Sequence, residues 1–195
     1  MVIGITGNSG AGKTTAAEVL ASIIDAKIID ADKIVRQEQK IGKKYYKKII
    51  ENFGEAILQN NKEIDRKKLA NIIFESKQKM EQMNEITTAC IVPIIIKKTK
   101  ALNDVNVILD VPLLFESNLN EVCDITIGII ADEETKIKRL KKRDKGIDVS
   151  KRLKAQPESG FYIKKADYII ENNGNDLQKN MEIIWKKICT EHGKS

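Results

Sequence analysis

Histidine occurs once in this 195-residue chain, proline and cysteine three times each, and aromatic residues make up only 5%. The one histidine, His192, lies in the tail, which makes it a poor general base. Cys90, Cys123 and Cys189 are widely spaced and odd in number, a pattern that fits neither a disulfide framework nor a zinc site, so they read as reduced structural thiols. With so few aromatics, and no basic run interleaved with them, there is no base-stacking surface, and nucleic acid is not expected as a partner. No apolar run approaches the roughly 18 residues of a membrane span, and the start MVIGITGNSG lacks the regions of a signal peptide. A cytoplasmic protein with no membrane partner is the expectation.

What is present is the balance of a globular chain: 42% hydrophobic and 32% charged residues, with a net charge of +6. The length supports one sizeable core with small inserts. An excess of positive charge suits a nucleic acid, an anionic surface or a highly phosphorylated small molecule, and by itself chooses none of them.

VIGIT (2–6), AKIID (26–30), VNVILD (105–110), DITIGII (124–130) and ADYIIE (166–171) read as five short strands, apolar on both alternations as parallel strands covered on two faces are. The expected fold class is α/β, a P-loop NTPase fold with a five-stranded, mostly parallel sheet and helices on both faces. In residues 14–24, Ala16, Val19, Leu20, Ile23 and Ile24 fall at helical spacing, and near the end (about 175–191) Leu177, Met181, Ile184, Trp185 and Ile188 share a face. The long stretch between the second and third strands must hold further helices, at 43–54, at 65–76 behind an aspartate cap, and from about 77 to 102, where Pro93 should kink or interrupt the helix. A second insert, RLKKRDKGIDVSKRLKAQ (139–156), is strongly basic and carries a glycine suited to a hinge. The expected organisation is a single domain with its core at about 1–35, 103–138 and 163–195, a helical acceptor-binding insert at about 36–102, and a lid at about 139–162.

GNSGAGKT (Gly7 to Thr14) matches G-x-x-x-x-G-K-[ST] in full, directly after one strand and opening a helix. Glycines let successive N–H groups face phosphates, and the helix N-terminus adds its positive end. Lys13 is then expected to bridge the β- and γ-phosphates of ATP and the Thr14 hydroxyl to complete a magnesium shell. NKEI (61–64) lacks the aspartate of a guanine motif and DVPL (110–113) lacks the glycine of a switch, so a GTPase is not indicated. A short P-loop chain with a helical insert after its second strand and a basic insert after its fourth has the plan of a small-molecule kinase.

Transfer to a hydroxyl calls for a base, and the acids near the expected C-terminal edge of the sheet are Asp30, Asp32, Asp110 and Glu116. Asp110 ends a strand, where it either orients magnesium through water or caps the next turn. Arg139 and Arg143, four apart on an expected helix, share a face that is either solvated or closes over the triphosphate.

GNSGAGKTT, IIDADKIVR (28–36), IDRKKLANIIF (64–74), LDVPLLFE (109–116) and ADYIIENNG (166–174), in this order and spacing, resemble the dephospho-CoA kinases over nearly the whole chain. The resemblance implies ATP-dependent phosphorylation, with Mg2+, of the ribose 3'-hydroxyl of dephospho-coenzyme A, the last step in making coenzyme A. Carried over, Gly10, Ala11, Gly12, Lys13, Thr14 and Thr15 cradle ATP, Asp32 faces the acceptor hydroxyl as base, and Arg139 and Arg143 belong to the lid. Arg66 and Leu114 lie on the acceptor side, and Asn173 in the NNG loop lies near the adenine. Two positions depart from the family pattern: Val92-Pro93 stands where a His-Pro pair is usual, and Glu171-Asn172 where Asp-Asn is usual. A nucleoside or nucleotide kinase of similar architecture is the alternative. A monomer or small homo-oligomer is expected.

Overall fold

The computed structural model describes residues 1–143, 153, 156–174 and 176–193, with Arg143 described through its backbone alone. Its five strands are β1 (Val2–Gly7), β2 (Lys27–Asp30), β3 (Val107–Asp110), β4 (Ile125–Ile130) and β5 (Tyr168–Glu171), in the order β2-β3-β1-β4-β5. The β1–β3, β1–β4 and β4–β5 pairings are parallel. β5 begins at Tyr168 rather than 166 because the Asp167 carboxylate takes the Thr126 N–H, at 2.8 Å, and the Thr126 hydroxyl.

Alternation along the strands separates two covered faces. Ile3, Ile5, Ile108, Ile125, Ile127 and Ile129 form one core with Ala16, Ala17 and Leu20 of α1 (Lys13–Ile24) and Met181 and Ile188 of the C-terminal helix α8 (Leu177–Glu191). The opposite face is lined by Gly4 and Gly128: a Cβ on Gly4 would stand 2.7 Å from Leu114, and one on Gly128 3.5 Å from Tyr162 of α7 (Ser159–Lys165). Glycine there lets the chain segments on that side approach the sheet closely. The α/β P-loop fold with helices on both faces is therefore present.

The chain divides into two compact units, one of Met1–Ile29 and Thr99–Ser195 and the other of Asp30–Lys98. The first holds the sheet together with α1, α6 (Glu133–Arg143), α7 and α8. The second contains α2 (Ala31–Glu38), α3 (Lys44–Phe53) and α4 (Arg66–Ile73), and most of α5 (Lys77–Lys100). Asp30 caps α2 by accepting from the Lys33 N–H at 2.9 Å, and Asp65 caps α4 by accepting from the Lys67 and Lys68 N–H groups. Buried Tyr45, Ile49 and Ile57 form its apolar interior, with a 2.7 Å hydrogen bond between the Tyr45 and Thr87 hydroxyls. α5 runs through Pro93 without interruption. Proline removes one N–H from the ladder, and a helix of 24 residues has enough other bonds to carry the loss. The glycine expected as a hinge, Gly146, and residues 144–152, 154 and 155 of the expected lid lie outside the described residues.

Gly7 closes β1 with φ +138°, and a Cβ there would stand 1.9 Å from the Ile129 carbonyl oxygen of β4. That neighbour is backbone and cannot turn away. Gly7→Ala is expected to destabilise the fold by about 3 kcal/mol or more, read as a fall in thermal midpoint. Gly54→Ala, at φ +77° with nothing within 4 Å, should cost less than half of that.

Candidate active site

The loop between β1 and α1 turns on glycines that serve both conformation and approach. Gly10 has φ +82° and Gly12 φ +95°; a Cβ on Gly10 would stand 2.8 Å from the Lys136 carbonyl oxygen of α6, and one on Gly12 2.4 Å from the Asn172 side-chain nitrogen. Gly12 is also the N-cap of α1, whose first turn is Lys13, Thr14 and Thr15. Both threonines are exposed there, at the positive end of the helix. Lys13 Nζ donates to the Asn8 carbonyl oxygen at 3.1 Å, which also accepts from the Ala11 N–H at 3.2 Å.

The Thr14 hydroxyl donates to Asp110 Oδ2 at 2.7 Å. β3 lies beside β1 with Asp110 opposite Ile5, so the end of the strand delivers a 4% exposed carboxylate to the start of α1. A threonine hydroxyl and a carboxylate are hard oxygen donors and fit magnesium, which takes few protein ligands and keeps its waters and phosphate oxygens. Among the described residues no group of three His, Cys, Asp or Glu side chains forms a denser metal cage.

Behind the loop lies a polar brace. Asn172, 5% exposed at the end of β5, donates through Nδ2 to the Ala11 carbonyl oxygen at 2.7 Å, and its N–H donates to the Ile130 carbonyl oxygen at 2.8 Å. Arg139 of α6 donates through Nη1 to the carbonyl oxygens of Asn172 at 2.9 Å and of Gly10 and Ala11 at 3.3 Å each, and through Nη2 to Asn172 Oδ1 at 3.4 Å. The Asn173 side-chain oxygen accepts from the Asp132 N–H at 2.7 Å, and Asp132 Oδ1 accepts from the Thr135 N–H at 2.6 Å, which lowers the Asp132 carboxyl below its usual range. The two asparagines after β5 thus divide between the phosphate loop and the start of α6.

The dephospho-CoA kinase family model (CoaE) matches residues 1–178. The chain belongs to the dephospho-CoA kinase family. A dephospho-CoA kinase of Fusobacterium nucleatum is 40% identical over 187 residues, covering 93% of this chain and 95% of that protein. One from Oceanobacillus iheyensis is 39% identical over 188 residues, covering 94% of each. The structure of a Campylobacter jejuni dephospho-CoA kinase superposes with a TM-score of 0.67 at 28% identity, covering 98% of each chain.

Within this kinase the residues expected from the sequence separate by where the fold places them. The structure brings together Gly10, Ala11, Gly12, Lys13, Thr14, Thr15, Asp110 and Arg139, and holds Asn173 against the Asp132 N–H just ahead of α6. Arg139 is half-buried beneath the loop, where carbonyl oxygens facing away from the phosphate side need a donor and its guanidinium supplies it. Leu114 is fully buried against Gly4, so its side chain is core and does not line an acceptor site. In the second unit, Asp32 is exposed in the first turn of α2 and Arg66 is exposed as the first residue of α4. The Arg143 side chain lies outside the described residues.

Of the other acids at the strand ends, Asp30 caps α2, as an acid that closes a strand ahead of a helix is suited to do. The Glu116 carboxyl is raised above its usual range, chiefly by desolvation, with the Lys165 ammonium pulling it the other way. The residue that sequence reasoning undervalued is Asn172: it stood in the NNG stretch, but only the position of Gly12 shows what its amide touches. Asn172→Ala leaves the Ala11 carbonyl without its shortest donor, and a loss of about 1–3 kcal/mol in chemical denaturation is expected, together with a raised KM for ATP.

Proposed function

We propose that this kinase transfers the γ-phosphoryl group of ATP to the ribose 3'-hydroxyl of dephospho-coenzyme A, giving coenzyme A and ADP. Membership of the family over residues 1–178 carries the reading, and the phosphate loop with its Thr14–Asp110 pair supports it. The N–H groups of the loop and the α1 terminus bind the β- and γ-phosphates, with Lys13 between them and Thr15 at the α-phosphate side. Thr14 and Asp110 would hold the Mg2+ that accompanies ATP, and that ion would neutralise charge on the phosphates. Asp32 takes the proton of the 3'-hydroxyl as its oxygen bonds to the γ-phosphorus and the bond from that phosphorus to the β,γ-bridging oxygen breaks. Arg66 contacts the acceptor, Arg143 and the lid bring positive charge onto the triphosphate, and Asn173 borders the adenine. Arg139 serves ATP indirectly, through the loop it braces. No helix among the described residues is long and apolar enough to cross a membrane, which is compatible with a cytoplasmic enzyme.

An acceptor screen with ATP and magnesium tests the reaction: turnover is expected with dephospho-CoA and not with AMP, CMP, GMP or free nucleosides. Turnover of a nucleotide and none of dephospho-CoA would transfer the chain to the nucleotide kinases. Lys13→Ala should lower kcat by about 100-fold or more, because the transition state loses its nearest cation. Asp32→Asn keeps the shape and removes the base, so kcat should fall by about 100- to 10,000-fold with ATP affinity near that of the wild type. An unchanged kcat would end the base assignment.

A further inference from the structure

The Asn8–Ser9 peptide group is held at both ends. Its carbonyl oxygen accepts from Lys13 Nζ at 3.1 Å and from the Ala11 N–H at 3.2 Å, and its N–H donates to Gln156 Oε1 at 2.8 Å. Gln156 closes a second bond, from Nε2 to the Ser9 hydroxyl at 2.8 Å, so one side-chain amide grips Ser9 at two points. The neighbouring turn adds to the grip. Asn8 Nδ2 donates to the Pro157 carbonyl oxygen at 2.6 Å, and the Ser159 hydroxyl lies 3.4 Å from Asn8 Oδ1. Asn8 and Ser9 are only 3% and 6% exposed, so water does not compete for these groups.

In the motif G-x-x-x-x-G-K-[ST] the positions of Asn8 and Ser9 are free, since at these positions the loop meets the phosphates through backbone and not through side chains. Here both carry side chains with fixed partners outside the loop. Because a peptide group is planar, fixing its N–H also fixes the direction of its carbonyl. The carbonyl in question accepts from the Lys13 ammonium.

We infer that Gln156 is a positioning residue for the reaction, which sets the orientation of the Asn8–Ser9 peptide and through it the placement of the Lys13 ammonium. The inference rests on the kinase reading above. Removing Gln156 frees the peptide to rotate, and the Asn8 carbonyl then no longer holds the Lys13 ammonium in a fixed direction. A misplacement on the order of 1 Å at a group that must meet the transferring phosphoryl costs up to about 100-fold in rate.

The test is a double-mutant cycle between Gln156→Ala and Lys13→Ala, with kcat for dephospho-CoA phosphorylation and the thermal midpoint as readouts. Gln156→Ala alone is expected to lower kcat by about 10- to 100-fold. In the Lys13→Ala background the same change should lower kcat by less than about twofold, because the group it positions is already gone. Gln156→Glu keeps an oxygen to accept from the Ser9 N–H and should recover more than half of the lost rate on a logarithmic scale; it also provides a folded variant if Gln156→Ala does not fold. Equal fold-losses in the two backgrounds, or a wild-type kcat in Gln156→Ala, would overturn the inference. A wild-type protein that does not phosphorylate dephospho-CoA would overturn the kinase reading instead, and the two failures are told apart by that control.

Discussion

A loop that turns its N–H groups toward an anion leaves carbonyl oxygens pointing back into the protein, and these must find donors. In this kinase the Ala11 carbonyl receives Asn172 and Arg139, the Gly10 carbonyl receives Arg139, and the Asn8 carbonyl receives Lys13 and the Ala11 N–H. Buried backbone acceptors without partners cost about as much as a lost hydrogen bond each, so the loop holds its shape only with these donors in place. The rest of the first unit can be understood as the means of bringing them there. β5 ends at the point where Asn172 reaches Ala11, and α6 packs so closely on the loop that Gly10 has no room for a side chain.

The sheet places the acidic partner by the same logic. Parallel pairing sets Ile5 opposite Asp110, so the carboxylate emerges beside the strand that leads into the loop and meets the Thr14 hydroxyl one turn into the chemistry. Each binding contact therefore inherits its geometry from a strand end. This is why ligands in open parallel sheets gather at the carboxyl ends of the strands. The second unit keeps its own short helices in place with aspartate caps, and it carries Asp32 and Arg66 at the starts of α2 and α4.

Much of this was legible beforehand because it is written locally. Short isoleucine-rich runs with two covered faces, a complete phosphate-loop motif and the cap at Asp65 depend on residues within a few positions of one another. The misread positions involve residues far apart in the chain. Leu114 looked like a ligand-side residue within LDVPLLFE, but it lies against Gly4, more than a hundred positions away. Spacing left Arg139 open between a solvated face and one closing over the triphosphate, because the carbonyl oxygens it serves belong to residues 10, 11 and 172. Pro93 was expected to kink or interrupt its helix, and α5 runs through it without interruption.

By itself the sequence determined the family, the five strands, the identity of the phosphate loop and the residue types available for the chemistry. These follow from periodicity and from a motif whose spacing is imposed by backbone geometry. Only the tertiary structure decided which groups hold the loop. The choice of Asn172 over Asn173 for Ala11, and of Gln156 for Ser9, depends on where the end of β5 and the turn before α7 come to rest against β1. Hydrogen bonds act over about 3 Å, and no spacing along the chain specifies distances on that scale between segments 150 residues apart.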